Sequence, residues 1–274
     1  MIRALQHRSF AVGATLSALV LLTAGVSLVW TPQSATALNI ARRLRPPSAA
    51  NLLGTDHLGR DVLSMLMTGA QNSLAVGVVA VTIGVVLGVA LGLTAAARRG
   101  WIEELVMRFS DFAFAFPAIL SAIMITAVMG PGGVNSIIAI GIFNIPVFAR
   151  LARGSAGTIW TRDFVLAARM SGKGPLRISL EHVLPNILNV IIVQATTAFA
   201  VAILAEAALS YLGLGTQPPY PSWGRMLNEA QTFLYQAPRL AILPGAAIAI
   251  AVLGLNLLGD GLRDLTDPRL ARSR

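Results

Sequence analysis

Long apolar stretches are the feature that most constrains what this chain can fold into. A helix needs about 20 apolar residues to cross the roughly 30 Å hydrocarbon core of a bilayer. Each such stretch must satisfy its backbone hydrogen bonds internally, which a helix does. Six stretches qualify: Phe10–Trp30, Ser73–Ala97, Phe109–Met129, Val134–Ala152, Ile187–Leu209 and Leu240–Gly259. The sequence therefore predicts an all-α, polytopic membrane protein with six transmembrane helices.

The composition supports the same fold class. Charged residues make up 12% of the chain, about half the share found in soluble domains. Cysteine is absent, which excludes disulfides, thiolate metal sites and cysteine nucleophiles. The net charge of +9 comes from arginines between apolar spans, a pattern typical of contact with anionic lipid. No basic stretch is interleaved with aromatic residues, so we expect no nucleic-acid partner.

Positive charge is distributed unevenly between the two sides that six spans define. Both chain ends lie on one side, and the segments on that side hold 15 of the 21 Lys and Arg residues. Cytoplasmic segments of membrane proteins carry this excess. The distribution therefore predicts cytoplasmic N- and C-termini.

The start of the chain permits one alternative. MIRALQHRSF, the apolar run and SATALN together resemble a signal peptide cleaved after Ala37. The apolar run holds about 20 residues, whereas cleaved signals have roughly 7–15. Cleavage would also place the two termini on opposite sides. We therefore expect this segment to remain as the first transmembrane helix.

Two segments on the predicted outer side are long enough to carry function. Residues 31–72 end in an amphipathic pattern, which predicts a short helix lying on the membrane surface over 62–70. In residues 213–239, prolines end the preceding span and Ser222 is placed to cap a short helix. Both segments could contact a partner protein or brace the bundle.

Glycines recur on one face of the second predicted span. Gly84, Gly88 and Gly92 are four residues apart, so they allow a close approach of another helix. Packing within the chain is the simpler interpretation, and a surface for another subunit is the alternative.

The segment Phe164–Leu188 concentrates basic, glycine and proline residues on the predicted inner side. Asp163 is a candidate N-cap for a helix through Met170, with a small-residue face. Gly172 and the Gly174–Pro175 pair end this helix and turn the chain. An amphipathic return helix then leads into the next span, which starts near Pro185. A compact helical projection of this kind suits docking into a groove of a partner.

This segment resembles the EAA loop of permease subunits of ABC importers. Ala167 and Ala168 are followed by three residues and Gly172, and Leu184-Pro185 comes twelve and thirteen residues after Gly172. Leu166 stands where the family usually has glutamate. Further stretches are similar to the second permease subunit of dipeptide, oligopeptide and nickel importers. They are LLGTDHLGRDVLS, MRFSDFAFAFPAIL, AEAALSYLGLGTQPPYPSWGRML and NLLGDGLRDLTDPRL.

The resemblance implies a type I ABC importer permease fold with a cytoplasmic coupling helix. It divides the chain into residues 1–72, with the first span, an extracytoplasmic segment and the surface helix, and a five-helix permease core, 73–274. We call residues 153–185 the EAA-like loop. The loop residues assigned to contact with the ATPases are Arg162, Asp163, Ala167, Ala168, Gly172, Gly174, Pro175, Leu184 and Pro185. Candidate contacts with a binding protein are Asp56, Arg60, Asp61, Trp223 and Arg225.

The implied partners are a second homologous permease, two cytoplasmic ATPases, an extracytoplasmic solute-binding protein and membrane lipid. ATP-driven closure of the ATPases would switch the permeases between inward and outward states. The chain has no G-x-x-x-x-G-K-[ST] phosphate loop. We therefore expect that this chain is not an enzyme and holds no cofactor, and that ATP and Mg bind to the partner subunits.

The implied function is half of the path for small peptides across the inner membrane, with nickel or another small solute as the alternative cargo. A secondary transporter is a further alternative, but it would need ionisable residues at mid-membrane. Asp111 and Glu206 instead lie near span ends. An intramembrane enzyme is disfavoured because His7, His57 and His182 lie in separate segments and no hydrolase motif occurs.

Overall fold

The computed structural model describes residues 8–266, and within these residues it contains helices, turns and loops but no β-strand. The helices are α1 (Arg8–Ser27), α2 (Val62–Arg98), α3 (Gly100–Phe114), α4 (Ala118–Met129), α5 (Gly133–Ile159), α6 (Asp163–Met170), α7 (Pro175–Ile178), α8 (Leu184–Tyr211), α9 (Trp223–Ala230) and α10 (Arg239–Thr266). A π-helical turn, Ser179–Val183, joins α7 to α8, and 3-10 turns lie at Ile40–Arg42 and Gln231–Phe233. The predicted all-α fold class is confirmed.

Five of the predicted spans correspond to long apolar helices, namely α1, α2, α5, α8 and α10. The sixth predicted span, Phe109–Met129, is not one continuous helix. It falls on α3 and α4, whose axes differ by 88°. The bend lies at Pro117, which has no backbone N–H and disfavours a helical conformation in Phe116. The pair counts as a sixth span only if the bent helices cross the membrane together.

The short surface helix predicted over 62–70 does not exist as a separate helix. Those residues form the first turns of α2, which continues for 37 residues to Arg98. No proline interrupts it, and Gly69 lies against Trp223 of α9 rather than breaking the helix. At 1.5 Å per residue α2 is about 55 Å long, well beyond the hydrocarbon core. The boundary at 72/73 between the two predicted regions therefore lies inside one helix.

The glycine face of α2 packs against α5 within the chain. A Cβ on Gly84 would lie 2.2 Å from the Cβ of Asn144, and one on Gly92 would lie 2.4 Å from the carbonyl oxygen of Ala149. Only glycine allows the two helices to approach this closely. The simpler interpretation of the glycine pattern, packing within the chain, is confirmed.

Two hydrophobic cores lie along the molecule. One joins the second half of α2 to α5, to α8 and to the EAA-like loop. The other joins the first half of α2 to α1, α9 and α10. We call residues 31–61 and 212–238 the cap, and most of their buried apolar side chains belong to the second of these cores. Residues 1–7 and 267–274, which carry some of the arginines used to orient the chain, lie outside the described residues.

Candidate functional site

The first helix of the EAA-like loop has the predicted extent but not the predicted cap. α6 runs from Asp163 to Met170, and its N-cap is Arg162, with no side-chain capping bond. Asp163 is the first helical residue, where its carboxylate still interacts favourably with the helix dipole. The candidate residues from Arg162 to Pro175 thus lie in one short stretch that projects between α5 and α8.

Gly172 turns the chain after α6 through a Schellman motif. Its backbone N–H donates to the carbonyl of Arg169 at 3.0 Å, and that of Lys173 donates to the carbonyl of Ala168 at 3.2 Å. This pattern places the residue after the cap in the left-handed region, and Gly172 has φ = +79°. Glycine adopts that conformation without steric cost. The predicted turn is therefore present, and Gly172 has a conformational reason for being glycine.

The predicted return helix is not separate from the next span, because α7, the π-helical turn and α8 are continuous. Pro185 removes one backbone donor near the start of α8. The amide of Leu184 reaches back five residues to the carbonyl of Ser179, which is the π-helical pattern. Leu184 and Pro185 thus mark the junction where the loop re-enters the bundle.

One face of α6 anchors the loop and the other is open. Val165 and Ala168 are buried in the core shared with α2 and α5. Ala167, predicted to share a small-residue face with Ala168, is exposed. Large apolar side chains of the loop are exposed instead: Phe164, Leu166 and Met170 on α6, and Leu176 and Leu180 in the segment that follows it. Met170 is 90% exposed, which makes this open side a candidate surface for a protein partner.

Ion pairs hold the second half of the loop. Glu181 accepts from the Nζ of Lys173 at 2.6 Å and from the Nε of Arg177 at 2.6 Å. The Lys173 ammonium also lies 3.0 Å from the Nε2 of His182. Because Lys173 directly follows the Gly172 turn and Glu181 lies beyond α7, these contacts tie the turn to the segment that follows it. His182 therefore has a structural role in this network.

The candidate binding-protein contacts lie in the cap, at the other end of the bundle. Both carboxylate oxygens of Asp56 are used, one by the backbone N–H of Leu58 and Arg60 and the other by the Arg60 side chain. The Arg60 guanidinium also contacts Glu229 of α9. This pairing joins helix α9 to the loop that precedes α2.

Other bonds in the cap fix the start of α2. Asp61 caps it by accepting from the backbone N–H of Ser64 at 2.8 Å. The indole of Trp223 donates to the carbonyl of Leu66 at 3.1 Å. The predicted Ser222 cap of α9 is confirmed, since Ser222 accepts from the backbone N–H of Arg225.

Burial corrects most of the candidate binding-protein contacts. Asp56, Arg60, Asp61 and Trp223 are buried and bonded within the cap, so they cannot offer side chains to another protein. They brace the bundle instead. Arg225 alone of the five keeps part of its side chain, 19%, accessible. The outer surface of the cap therefore consists largely of other residues.

One group in the described part of the chain has the geometry of a metal site. Ligand-type atoms of Asp56, His57 and Glu229 lie within 4.8 Å of one another. The Arg60 guanidinium contacts both carboxylates and supplies the neutralising charge. A metal ion would have to displace Arg60, so the arrangement fits an ion-pair network better than a metal centre.

Glu206 is a buried carboxylate on α8 with a complete set of hydrogen bonds. It accepts from the hydroxyls of Ser73 at 2.8 Å and Ser210 at 2.6 Å. Ser210 in turn accepts from the backbone N–H of Thr216. These bonds link α2, α8 and the cap, so Glu206 positions these elements relative to one another.

Comparison with known proteins identifies the family. The family model described as "binding-protein-dependent transport system inner membrane component" matches residues 84–272, which include the EAA-like loop. The chain belongs to this family. Its members are transport permeases of the inner membrane, so this chain is a multi-pass permease rather than an enzyme.

Relatives and a solved structure agree with that family. The chain is 45% identical to the dipeptide transport system permease protein DppC of Alkalihalophilus pseudofirmus, over 88% of this chain and 79% of the relative. It is 45% identical to the glutathione transport system permease protein GsiD of Pectobacterium atrosepticum, over 82% and 74%. A chain of the MetNI methionine ABC transporter matches the fold with a TM-score of 0.62 at 19% identity, over 74% of this permease and 97% of that chain.

Sequence reasoning missed two features of this permease that depend on side-chain direction. Leu176 is 75% exposed in the segment where the sequence predicted an amphipathic return helix without saying which way its apolar face points. Arg98 and Arg99 come next to the loop at the end of α2. The doubled arginine after an apolar span is the only sequence signal for this neighbourhood.

Proposed function

We propose that this permease forms half of a translocation path for small peptides in an ATP-driven importer. The observation that carries the proposal is the open apolar side of the EAA-like loop. Large apolar side chains such as Phe164 and Met170 stand exposed there, on a loop whose return segment is held by ion pairs. A rigid apolar projection of this kind fits a groove in a protein partner. The family and the peptide-transport names of its relatives support the importer and its cargo.

In this proposal the partners are a second homologous permease, two ATPases and an extracytoplasmic binding protein. α6 docks into the ATPases, which bind ATP and Mg, while this chain contributes no catalytic group. Closure of the ATPases displaces α6, and the core around Val165 and Ala168 transmits that displacement to α2 and α5. Alternating access then follows as a movement of packed helices.

The proposed orientation places the EAA-like loop and both termini in the cytoplasm and the cap outside. The excess of Lys and Arg on the loop side supports it. The cap then faces the binding protein, with Arg225 as the remaining candidate contact of the original five.

The first test is purification of the chain through a C-terminal tag in mild detergent, with mass-spectrometric identification of the proteins that accompany it. We expect a second permease and ATPase subunits. Uptake of a labelled dipeptide and of labelled glutathione, in cells with and without the chain, then separates the two cargoes. A chain that purifies alone, with uptake of both solutes unchanged by its deletion, would contradict the proposal.

A further inference from the structure

Two neighbouring depressions lie where the end of α2 meets the EAA-like loop. The headgroup pocket is lined by Arg98, Arg99, Trp160, Leu166 and Arg169, among others. The tail groove is lined by Ala90, Leu93, Thr94, Pro175, Leu176 and Leu180, among others. Both are also lined by Ala97 and Arg98. A cationic pocket thus continues into an apolar groove.

The headgroup pocket has an excess of positive charge. Arg98, Arg99 and Arg169 line it, and none of its lining residues is acidic. None of these arginines has a carboxylate oxygen within 4.0 Å among residues 8–266, whereas Arg153 nearby is paired with Glu103. Arg99 also has φ = +47°, a strained value for a residue with a side chain. The pocket therefore suits an anion that brings its own negative charge.

The tail groove runs along α2 away from the arginines. Ala90 precedes Arg98 by eight residues, which is about 12 Å along the helix axis. That direction leads into the part of α2 that forms its apolar span, 73–97. Leu176 and Leu180 form the opposite wall from the loop side. An acyl chain would replace water there along apolar side chains.

We propose that this composite site binds a phospholipid with an anionic headgroup. Its phosphate lies between Arg98, Arg99 and Arg169, and one acyl chain lies in the tail groove. Basic pockets between helices at the cytoplasmic face suit such headgroups. The proposal rests on the proposed orientation, which puts the site at the inner leaflet. Since Leu166 and Arg169 belong to α6, the bound lipid connects the end of α2 to the helix that docks on the ATPases.

The test measures lipid retained by the purified full chain, with native mass spectrometry after exchange into phosphatidylcholine or phosphatidylglycerol. We expect the chain to retain phosphatidylglycerol preferentially. Arg98→Gln and Arg169→Gln should each weaken that retention about fivefold, the factor that one cation near an anionic surface contributes. Arg108→Gln is the matched control, because Arg108 is 77% exposed and paired with Glu104 on α3. It should leave retention unchanged.

Thr94→Trp separates a lipid from any other anion. It fills the tail groove and keeps every arginine, so it should weaken retention as well. Equal retention by Arg98→Gln, Arg169→Gln and the wild type would overturn the proposal. Loss with the arginine variants alone would also overturn it, since the pocket would then hold an anion without an acyl chain, such as an acidic side chain of a partner. Retention needs no transport, so its outcome is independent of whether the chain serves a peptide importer.

Discussion

At the scale of single residues, Gly172 controls the direction of the EAA-like loop most directly. Its positive φ sets the angle between α6 and the return segment, and within the return segment Glu181 pairs with Lys173 and Arg177. A Cβ at this position would meet no atom within 4 Å. The requirement for glycine is therefore conformational and not a matter of space.

Replacing Gly172 should separate conformation from bulk. Gly172→Val forces a β-branched residue into the left-handed region at a cost of about 1–2 kcal/mol, whereas asparagine tolerates that region. We expect Gly172→Val to insert normally but to lower dipeptide uptake, and Gly172→Asn to retain most of it. Uptake is compared at equal amounts of membrane-inserted chain. Wild-type uptake by Gly172→Val would contradict the role of this turn.

The buried charges of the cap show what sequence reasoning at this scale cannot reach. Asp56, Arg60 and Asp61 lie in a polar stretch, which is typical of an accessible surface. Arg60 is nevertheless buried, because its second partner is Glu229, 169 residues later. A sequence gives no pairing over such a separation. The turn at Gly172 was predictable because all its hydrogen bonds are local.

At the scale of elements, α2 and α5 approach each other closely along the glycine face of α2. A Cβ on Gly88 would lie 2.5 Å from the carbonyl oxygen of Ile145 and 2.7 Å from the Cβ of Phe148. Neither atom belongs to the flexible end of a side chain. The two helices must therefore separate to admit even one methyl group.

Gly88→Ala should accordingly destabilise the chain, by about 1–3 kcal/mol as in other overpacked interiors. Gly25→Ala is the matched control, because a Cβ on Gly25 of α1 meets nothing within 4 Å. It should be neutral or stabilise by up to about 1 kcal/mol, the helix propensity gained. The apparent melting temperature of each purified variant in detergent measures the difference. Equal temperatures for both variants would show that α2 and α5 are not closely packed.

The elements also show which predictions from sequence succeed. Apolar length and glycine spacing are local, so the spans and the packing face of α2 were predictable. Residues 62–72 continue into α2 with Trp223, which is distant in sequence, packed against Gly69. The bend at Pro117 was visible as a proline, but many transmembrane helices accommodate proline without a break. Its 88° angle depends on packing that the local sequence does not specify.

At the scale of the whole molecule, α2 takes part in both hydrophobic cores, with its first half in one and most of its second half in the other. The cap belongs to one core and the EAA-like loop to the other. If the chain crosses the membrane as proposed, α2 connects the cap on the outer side to the EAA-like loop on the inner side. Orientation is therefore the property on which the proposed function and the lipid site both depend.

The absence of cysteine makes orientation directly measurable, since one introduced thiol is labelled without background. Thr36→Cys lies in the exposed part of the cap, and Ser171→Cys lies in the exposed part of the EAA-like loop. We expect a membrane-impermeant maleimide to label Thr36→Cys in intact cells and Ser171→Cys only after permeabilisation. The reverse pattern would invert the proposed topology.

The length of α2 has a mechanical consequence. A continuous helix of about 55 Å, packed closely against α5 at its glycines, acts as a lever arm between the two faces of the membrane in the proposed orientation. A tilt of about 5° at one face sweeps the far end through roughly 5 Å, comparable to one helical turn. Small displacements beside α6 would thus arrive at the cap amplified, without any local unfolding in between.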